Sequence, residues 1–305
     1  MLTASTIFLR IALDDSPVTE KPAIVVIGSV NLDLVATVEK LPVAGETVTG
    51  AQLRRYPGGK GANQALAARR LGAHVTLLAR VGDDANAEEA LALLAAAEVD
   101  LSRCRRDPLA ATGVALIAVS ANGENQIVVA PGANRSLTRD MIELPEADAL
   151  LCQLEVPVAA LEFACQEFRG FVCVNLAPAC KVPQSLVDRA DLLVVNETEA
   201  AYYGSSLQGC RGMLVITHGA EGARLFKGGK MIAEAKPPKV TAVDTTGAGD
   251  AFTAALTIGV VEGMAPQAAL EFACATGAAA ATKAGAQTSL PSREEVLALM
   301  RQDIA

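Results

Sequence analysis

Tryptophan is absent from the 305 residues, and aromatic side chains make up only 3% of them. Proteins that hold single-stranded nucleic acid stack bases on such rings, so this chain lacks the platform. A formal net charge of −8 argues the same way, because sequence-independent affinity for nucleic acid comes from Lys and Arg neutralising phosphates. No apolar run is long enough to span a bilayer. Arg10 splits the one short N-terminal stretch and Asp14 and Asp15 follow it, so residues 1–22 read as a disordered or loosely docked extension rather than a signal peptide. The seven cysteines, Cys104, Cys152, Cys165, Cys173, Cys180, Cys210 and Cys274, form no CxxC pair. Scattered, odd in number and without metal-ligand spacing, they read as reduced thiols of a cytoplasmic protein. A GKS or GKT loop is missing, and "GSVNLD" (28–33) is not a GxGxxG fingerprint, which excludes a Walker A site and removes support for dinucleotide binding. No repeat, low-complexity tract or Pro/Ser/Gly linker divides the chain.

What is present is a strand–turn–helix rhythm from residue 23 onward. "AIVVIGSV" is a continuous apolar, β-branched run, as expected of a strand buried on both faces. "HVTLLARVG", "FVCVNLAP", "DLLVVNETE" and "GMLVITHG" are of the same kind, and helical stretches such as "GANQALAARRLG" and "ANAEEALALLAAAEV" lie between them. Alternating strands and helices predict a three-layer α/β/α domain over 23–305 with a mostly parallel central sheet. In such sheets ligands sit at the carboxyl ends of the strands, which nominates Asn31, Asp33, Asn175, Asn196, Glu199 and Thr217 by position. Two stretches break the rhythm. Residues 33–60 alternate apolar and polar, and 111–131 read as a hairpin turning at Asn122-Gly123. Together they predict a small antiparallel β lid over one end of the main sheet.

Two glycine-rich loops open helices. In "AVDTTGAGDAFTAAL" (242–256), Gly247, Ala248 and Gly249 run directly into Asp250. The first turn of a helix carries unpaired N–H groups and partial positive charge. Asp250 is then either the helix N-cap or a carboxylate beside amides bared for an anion. A cap needs one acid and no small residues before it, whereas amides plus an acid suit transfer of an anionic group to a hydroxyl. In "PGGKGANQALAARRLG" (57–72), Gly58, Gly59 and Gly61 bracket Lys60, with Asn63 one turn on. Lys60 is either a solvated charge or part of a site.

These two loops, "GGKGANQALAARRLG" and "DTTGAGDAFTAAL", resemble in wording, order and separation the two signatures of the ribokinase family of carbohydrate kinases. "GSVNLD", "TGVALI", "GAN", "QLE" and "NETEA" extend the resemblance over residues 23–300, closest to the branch that acts on ribose. The resemblance implies an ATP-dependent kinase forming ribose 5-phosphate and ADP. Asp250 would act as catalytic base on the 5-hydroxyl, with Gly247, Ala248 and Gly249 as anion hole. Asn31, Asp33, Gly59, Lys60, Asn63 and Glu155 would bind the sugar, whose vicinal hydroxyls each need donors and acceptors. Asn196 and Glu199 would orient phosphate and, through water, Mg²⁺. Thr217, Gly219, Ala220 and Gly222 would form the nucleotide loop with Gly249. Asp244, Thr246, Ala280, Lys283, Gly285 and Ser289 would surround a monovalent cation, K⁺, largely through carbonyls. A homodimer paired through the lid is also implied.

Two departures from the family pattern touch base contact only: Ala220 stands where Ser is common, and Cys274 where His often lies. Neither His74 nor His218 sits where the mechanism requires one. Two alternatives stay open: a relative acting on deoxyribose, fructose, 2-keto-3-deoxygluconate or a nucleoside, and a non-catalytic sugar-binding regulator.

Overall fold

The computed structural model describes residues 21–303; most of the expected N-terminal extension, residues 1–20, lies outside them. The chain begins with β1 (Ala23–Ile27), β2 (Asn31–Val38), β3 (Gln52–Gly58), α1 (Lys60–Arg70), β4 (His74–Gly82), α2 (Ala85–Ala96) and β5 (Cys104–Asp107). There follow β6 (Gly113–Ser120), β7 (Asn125–Ala130), β8 (Ala149–Gln153), α3 (Val158–Glu167), β9 (Phe171–Asn175), α4 (Gln184–Arg189), β10 (Leu192–Asn196) and α5 (Glu197–Tyr203). The last third holds β11 (Met213–Thr217), β12 (Ala223–Lys227), β13 (Lys230–Ala235), α6 (Ala248–Val261), α7 (Pro266–Ala281), α8 (Ala286–Ser289) and α9 (Arg293–Asp303).

Nine strands form the main sheet in the order β13-β12-β11-β10-β9-β8-β1-β4-β5. It is parallel from β11 to β5, and the β12–β13 hairpin adds an antiparallel edge. Strand β1 lies inside this sheet, and its unbroken apolar run is explained by the two layers it serves. Ile24 and Val26 pack with Leu66 of α1 and Leu256 of α6, whereas Val25 and Ile27 pack with Leu161 of α3 and Leu186 of α4. Both faces are dry, so alternation has no polar partner to show.

The four strands of the second sheet run β3-β2-β6-β7. Two antiparallel pairs, β2–β3 and β6–β7, are joined by a parallel pairing of β2 with β6, in register from Asn31↔Gly113 to Val38↔Ser120. That central pairing puts the entries of both strands side by side at the edge of the main sheet. The main-sheet strands β1, β8, β9, β10 and β11 all deliver their carboxyl ends toward this junction, which is where the site is found. Among the described residues no helix is long and apolar enough to cross a membrane.

Candidate active site

Helix α6 opens at Gly247, whose left-handed φ of 80° turns the incoming loop, and Ala248 is its first residue. Asp250 is therefore third in the helix, and no side chain caps it; the N-cap reading is corrected. Its carboxylate turns sideways toward α1 instead. Asn63 Nδ2 donates to Oδ2 at 2.8 Å and Gln64 Nε2 donates to Oδ1 at 2.9 Å. The side chain is only 6% exposed, a burial that a carboxylate tolerates when both oxygens accept hydrogen bonds. The expected anion hole is also altered in one member. Ala248 already donates its N–H to Thr245 O at 3.2 Å, and Ala251 to Gly247 O at 2.9 Å. Among the described residues no protein oxygen accepts from the amides of Gly247, Gly249 or Asp250.

The glycines around Lys60 have a reason beyond baring amides. A Cβ on Gly59, whose φ is 90°, would lie 2.8 Å from Asn31 N and Ser29 O, and one on Gly61 2.5 Å from Gly28 C and Ser29 N. Only glycine lets the start of α1 press against the β1–β2 turn. That contact carries Lys60 inward, so the solvated-charge reading does not hold. The Asp250 carboxylate raises the Lys60 ammonium above its ordinary pKa against the opposing effect of burial, and Glu155 and Glu199 add to it.

Glu155 accepts from the Ser29 hydroxyl and from Lys60 N–H at 3.0 Å, tying the segment after β8 to the same turn. Asn31 and Asp33 head β2. Burial, then the charges of Glu155 and Asp250, push the Asp33 carboxyl up to about 7. Asn134, from "GAN", clamps the turn: its Oδ1 accepts from Val30 N–H at 2.9 Å, and its Nδ2 donates to Asn31 Oδ1 at 2.8 Å. The bond fixes the Asn31 amide, leaving its own NH₂ group free to donate.

Below these groups is a cavity of about 220 Å³ bordered by Lys60, Asn175, Asn196, Glu199, Gly249 and Asp250. Asn196 and Glu199 form a reciprocal capping box at α5, each at 2.8 Å from the other's backbone N–H. Burial raises the Glu199 carboxyl, partly offset by its hydrogen bond from Asn196 and by Lys60. A second cavity, of about 660 Å³, meets the first at Thr217, Thr245 and Gly249. Gly219, Ala220 and Gly222 form one wall of it. The smaller cavity carries the charged side chains Lys60, Glu199 and Asp250; the larger is mostly apolar.

The pfkB family of carbohydrate kinases matches residues 21–293. This chain belongs to that family. It is similar to the ribokinase of Bacillus subtilis, with 38% identity over 91% of this chain and 99% of the relative. Among solved structures it resembles ribokinase from Thermotoga maritima, with a TM-score of 0.84 and 30% identity over 92% of this chain and 99% of that one. It also resembles Arabidopsis thaliana ribokinase complexed with ribose and ATP, with a TM-score of 0.83 and 29% identity over the same shares of the two chains.

Of the expected cation-site residues, Thr246 and Gly285 bond to Asp244 in this pfkB chain, while Ala280, Lys283 and Ser289 bond elsewhere. Asp244 Oδ1 accepts from Thr246 N–H at 2.9 Å and from its hydroxyl at 2.6 Å, while Oδ2 accepts from Gly285 N–H at 2.9 Å. Ala280 O accepts from Lys283 N–H at 3.3 Å, and Ser289 Oγ donates to Ala286 O at 2.8 Å. The Lys283 ammonium is drawn away to Glu295 at 2.6 Å. His74 is exposed at the start of β4, and His218 pairs with Glu197 at 2.9 Å. Sequence reasoning missed three features. Pro237, Pro238 and Val240 wall the larger cavity; the double proline was the available signal, as a rigid segment that cannot continue β13. Gln64 and Gln153 lie within "GGKGANQALAARRLG" and "QLE", but nothing local showed that they face each other and Asp250.

Proposed function

We propose that this chain transfers the γ-phosphoryl group of ATP to the 5-hydroxyl of D-ribose, giving ribose 5-phosphate and ADP. The observation that carries the reading is Asp250: a buried carboxylate held by two amide donors, beside the Gly247 and Gly249 amides, which no protein oxygen occupies among the described residues. In the reaction an O5–P bond forms as the bond from Pγ to the bridging oxygen breaks, and that electron pair leaves with ADP. The hydroxyl proton passes to the Asp250 carboxylate. A carboxylate is a weak base for an alcohol, so the transfer comes late, once bonding to phosphorus has acidified the hydroxyl. Positioning and charge stabilisation supply most of the acceleration in phosphoryl transfer. Here Lys60 and the free amides of Gly247 and Gly249 provide the positive field.

Asn31, Asp33, Gly59, Lys60, Asn63 and Glu155 would hold the sugar. Asn63 supports this, because its Nδ2 serves Asp250 while its buried Oδ1 meets no donor among the described residues; a sugar hydroxyl would satisfy it. The nucleotide would lie along the larger cavity, on Asn196, Thr217, Gly219, Ala220, Gly222 and Gly249. Mg²⁺, arriving with the nucleotide, would neutralise phosphate charge; Glu199, with one oxygen committed to Asn196 N–H, would meet its waters with the other. A monovalent cation such as K⁺ fits the surroundings of Asp244, where an acid braces two backbone segments and the Lys283 ammonium is paired with Glu295. The sheet β3-β2-β6-β7 would act as a lid, excluding water and so limiting ATP hydrolysis.

The lid also has an uncovered edge. All six residues of β7 are exposed, with Val128 at 64% and Ile127 at 55%. An apolar edge strand invites pairing with another chain, and we assign that place to a second copy, making a homodimer. Seven unpaired thiols suit the reducing cytoplasm as its location. The deciding experiment is ADP release from ATP with a panel of pentoses, hexoses and nucleosides, with and without K⁺. Ribose should give the highest kcat/KM. Preference for another acceptor would refute the substrate, and no acceptor-dependent ADP would refute catalysis.

A further inference from the structure

Asp250 is held from two sides, and of its two holders only Asn63 keeps a side-chain oxygen with no partner among the described residues. Asn63, which binds Oδ2, is also placed to touch substrate. Gln64, which binds Oδ1, is fully buried and borders neither cavity. Its own oxygen accepts from Gln153 Nε2 at 2.6 Å, and Gln153, at the end of β8, is fully buried too. We propose that Gln64 and Gln153 are positioning residues that hold the plane of the Asp250 carboxylate against the acceptor hydroxyl, and that Gln153 anchors this hold to the central sheet.

The direction of the chain follows from the acid at its head. An ionised carboxylate only accepts, so Gln64 must present its NH₂ group and point its oxygen at Gln153. Gln153 must then donate in turn, which leaves its Oε1 without a partner among the described residues. That oxygen lies against Gly28, in space that a Cβ would take. Both amide dipoles therefore point their positive ends toward Asp250. The orphaned Oε1 costs stability, of the kind retained where a polar network serves a site. An apolar pair would pack as well but would leave Oδ1 bare. Asn63 alone is a poor anchor, since it is shared with the bound sugar, whereas Gln64 answers only to β8.

The inference rests on the phosphoryl-transfer reading of Asp250, and the test separates the two. Gln64→Met keeps length and volume but removes the donor. Displacing a reacting group by about 1 Å costs on the order of 10²-fold. The expected result is a kcat lower by about 10- to 100-fold with KM for ribose and ATP within about 3-fold. Gln153→Met, one step removed, should lower kcat by about 3- to 10-fold. In an Asp250→Ala background, where there is no carboxylate to aim, Gln64→Met should change the residual rate by less than about 2-fold.

An equal fractional loss in both backgrounds, or a risen KM at unchanged kcat, would overturn the proposal and leave a structural brace. If Asp250→Ala is crippled while Gln64→Met keeps full kcat, this inference alone falls. If Asp250→Ala itself turns over normally, the phosphoryl-transfer role falls with it. Should Gln64→Met fail to fold by thermal unfolding, Gln153→Met in the two backgrounds decides in the same way.

Discussion

Replacing Asp33 by Asn should reshape the pH dependence of stability. Burial beside Glu155 and Asp250 moves the Asp33 carboxyl from 3.8 to about 7. Between those values the folded chain keeps a proton that the unfolded chain has released. Stability therefore falls as pH rises through this window and levels off above it. Roughly 3 pH units at about 1.4 kcal/mol each would amount to about 4 kcal/mol. Asp33 is only half-buried, so screening by water reduces this to about 2 kcal/mol. Asn has no such window. Asp33→Asn should accordingly gain about 2 kcal/mol on the parent between pH 4 and pH 8, read by urea unfolding at both pH values with m unchanged. Parallel stability curves would refute the argument, since they would mean that Asp33 ionises as an ordinary exposed acid. The parent's kcat/KM for ribose should also rise with pH through about 7, and that limb should vanish in the variant.

Asp250→Asn should lower kcat by roughly 10²–10⁴ with little change in ribose affinity by calorimetry; near-normal turnover would remove Asp250 from the chemistry. Gly59→Ala meets both a left-handed φ and backbone atoms at 2.8 Å. It should cost at least about 2 kcal/mol in urea unfolding and raise KM for ribose, and a variant as stable as the parent would contradict the close approach. Val128→Lys on the edge of β7 should convert the proposed dimer to a folded monomer by light scattering, and a dimer that persists would place the interface elsewhere.

Strands with continuous apolar runs were legible at once, and β4 spans the nine residues of "HVTLLARVG". Strand β8 is not evident, because "ALLCQ" holds no β-branched or aromatic residue to tell a short apolar run from buried helix. The β12–β13 hairpin is marked in the sequence only by Gly228-Gly229 at its turn. In the lid each hairpin was visible locally. The parallel pairing of β2 with β6 was not, because it joins segments about eighty residues apart.

In the site, the role of a residue depended on what faced it. Local sequence left Asp250 as a cap or a base, with the small residues before it favouring the base; no side chain caps the helix, and Asn63 and Gln64 hold its two oxygens. Asn196 and Glu199 do cap a helix, yet they also border the small cavity, so one pair serves both readings. Lys60 reads locally as either a solvated charge or part of a site, and the Gly59 and Gly61 contacts carry it among three carboxylates.

The sequence by itself determined the layered α/β plan, the two glycine loops and the list of polar side chains at strand ends. These are set by hydrophobic period and backbone freedom, which are properties of neighbours along the chain. Only the tertiary structure decided that Asp33, Lys60, Glu155, Glu199 and Asp250 share one field, and that two buried glutamines are hydrogen-bonded in a chain to the last of them. Coulomb and hydrogen-bond energies depend on distance through space and on exclusion of water, and neither is set until the chain has folded.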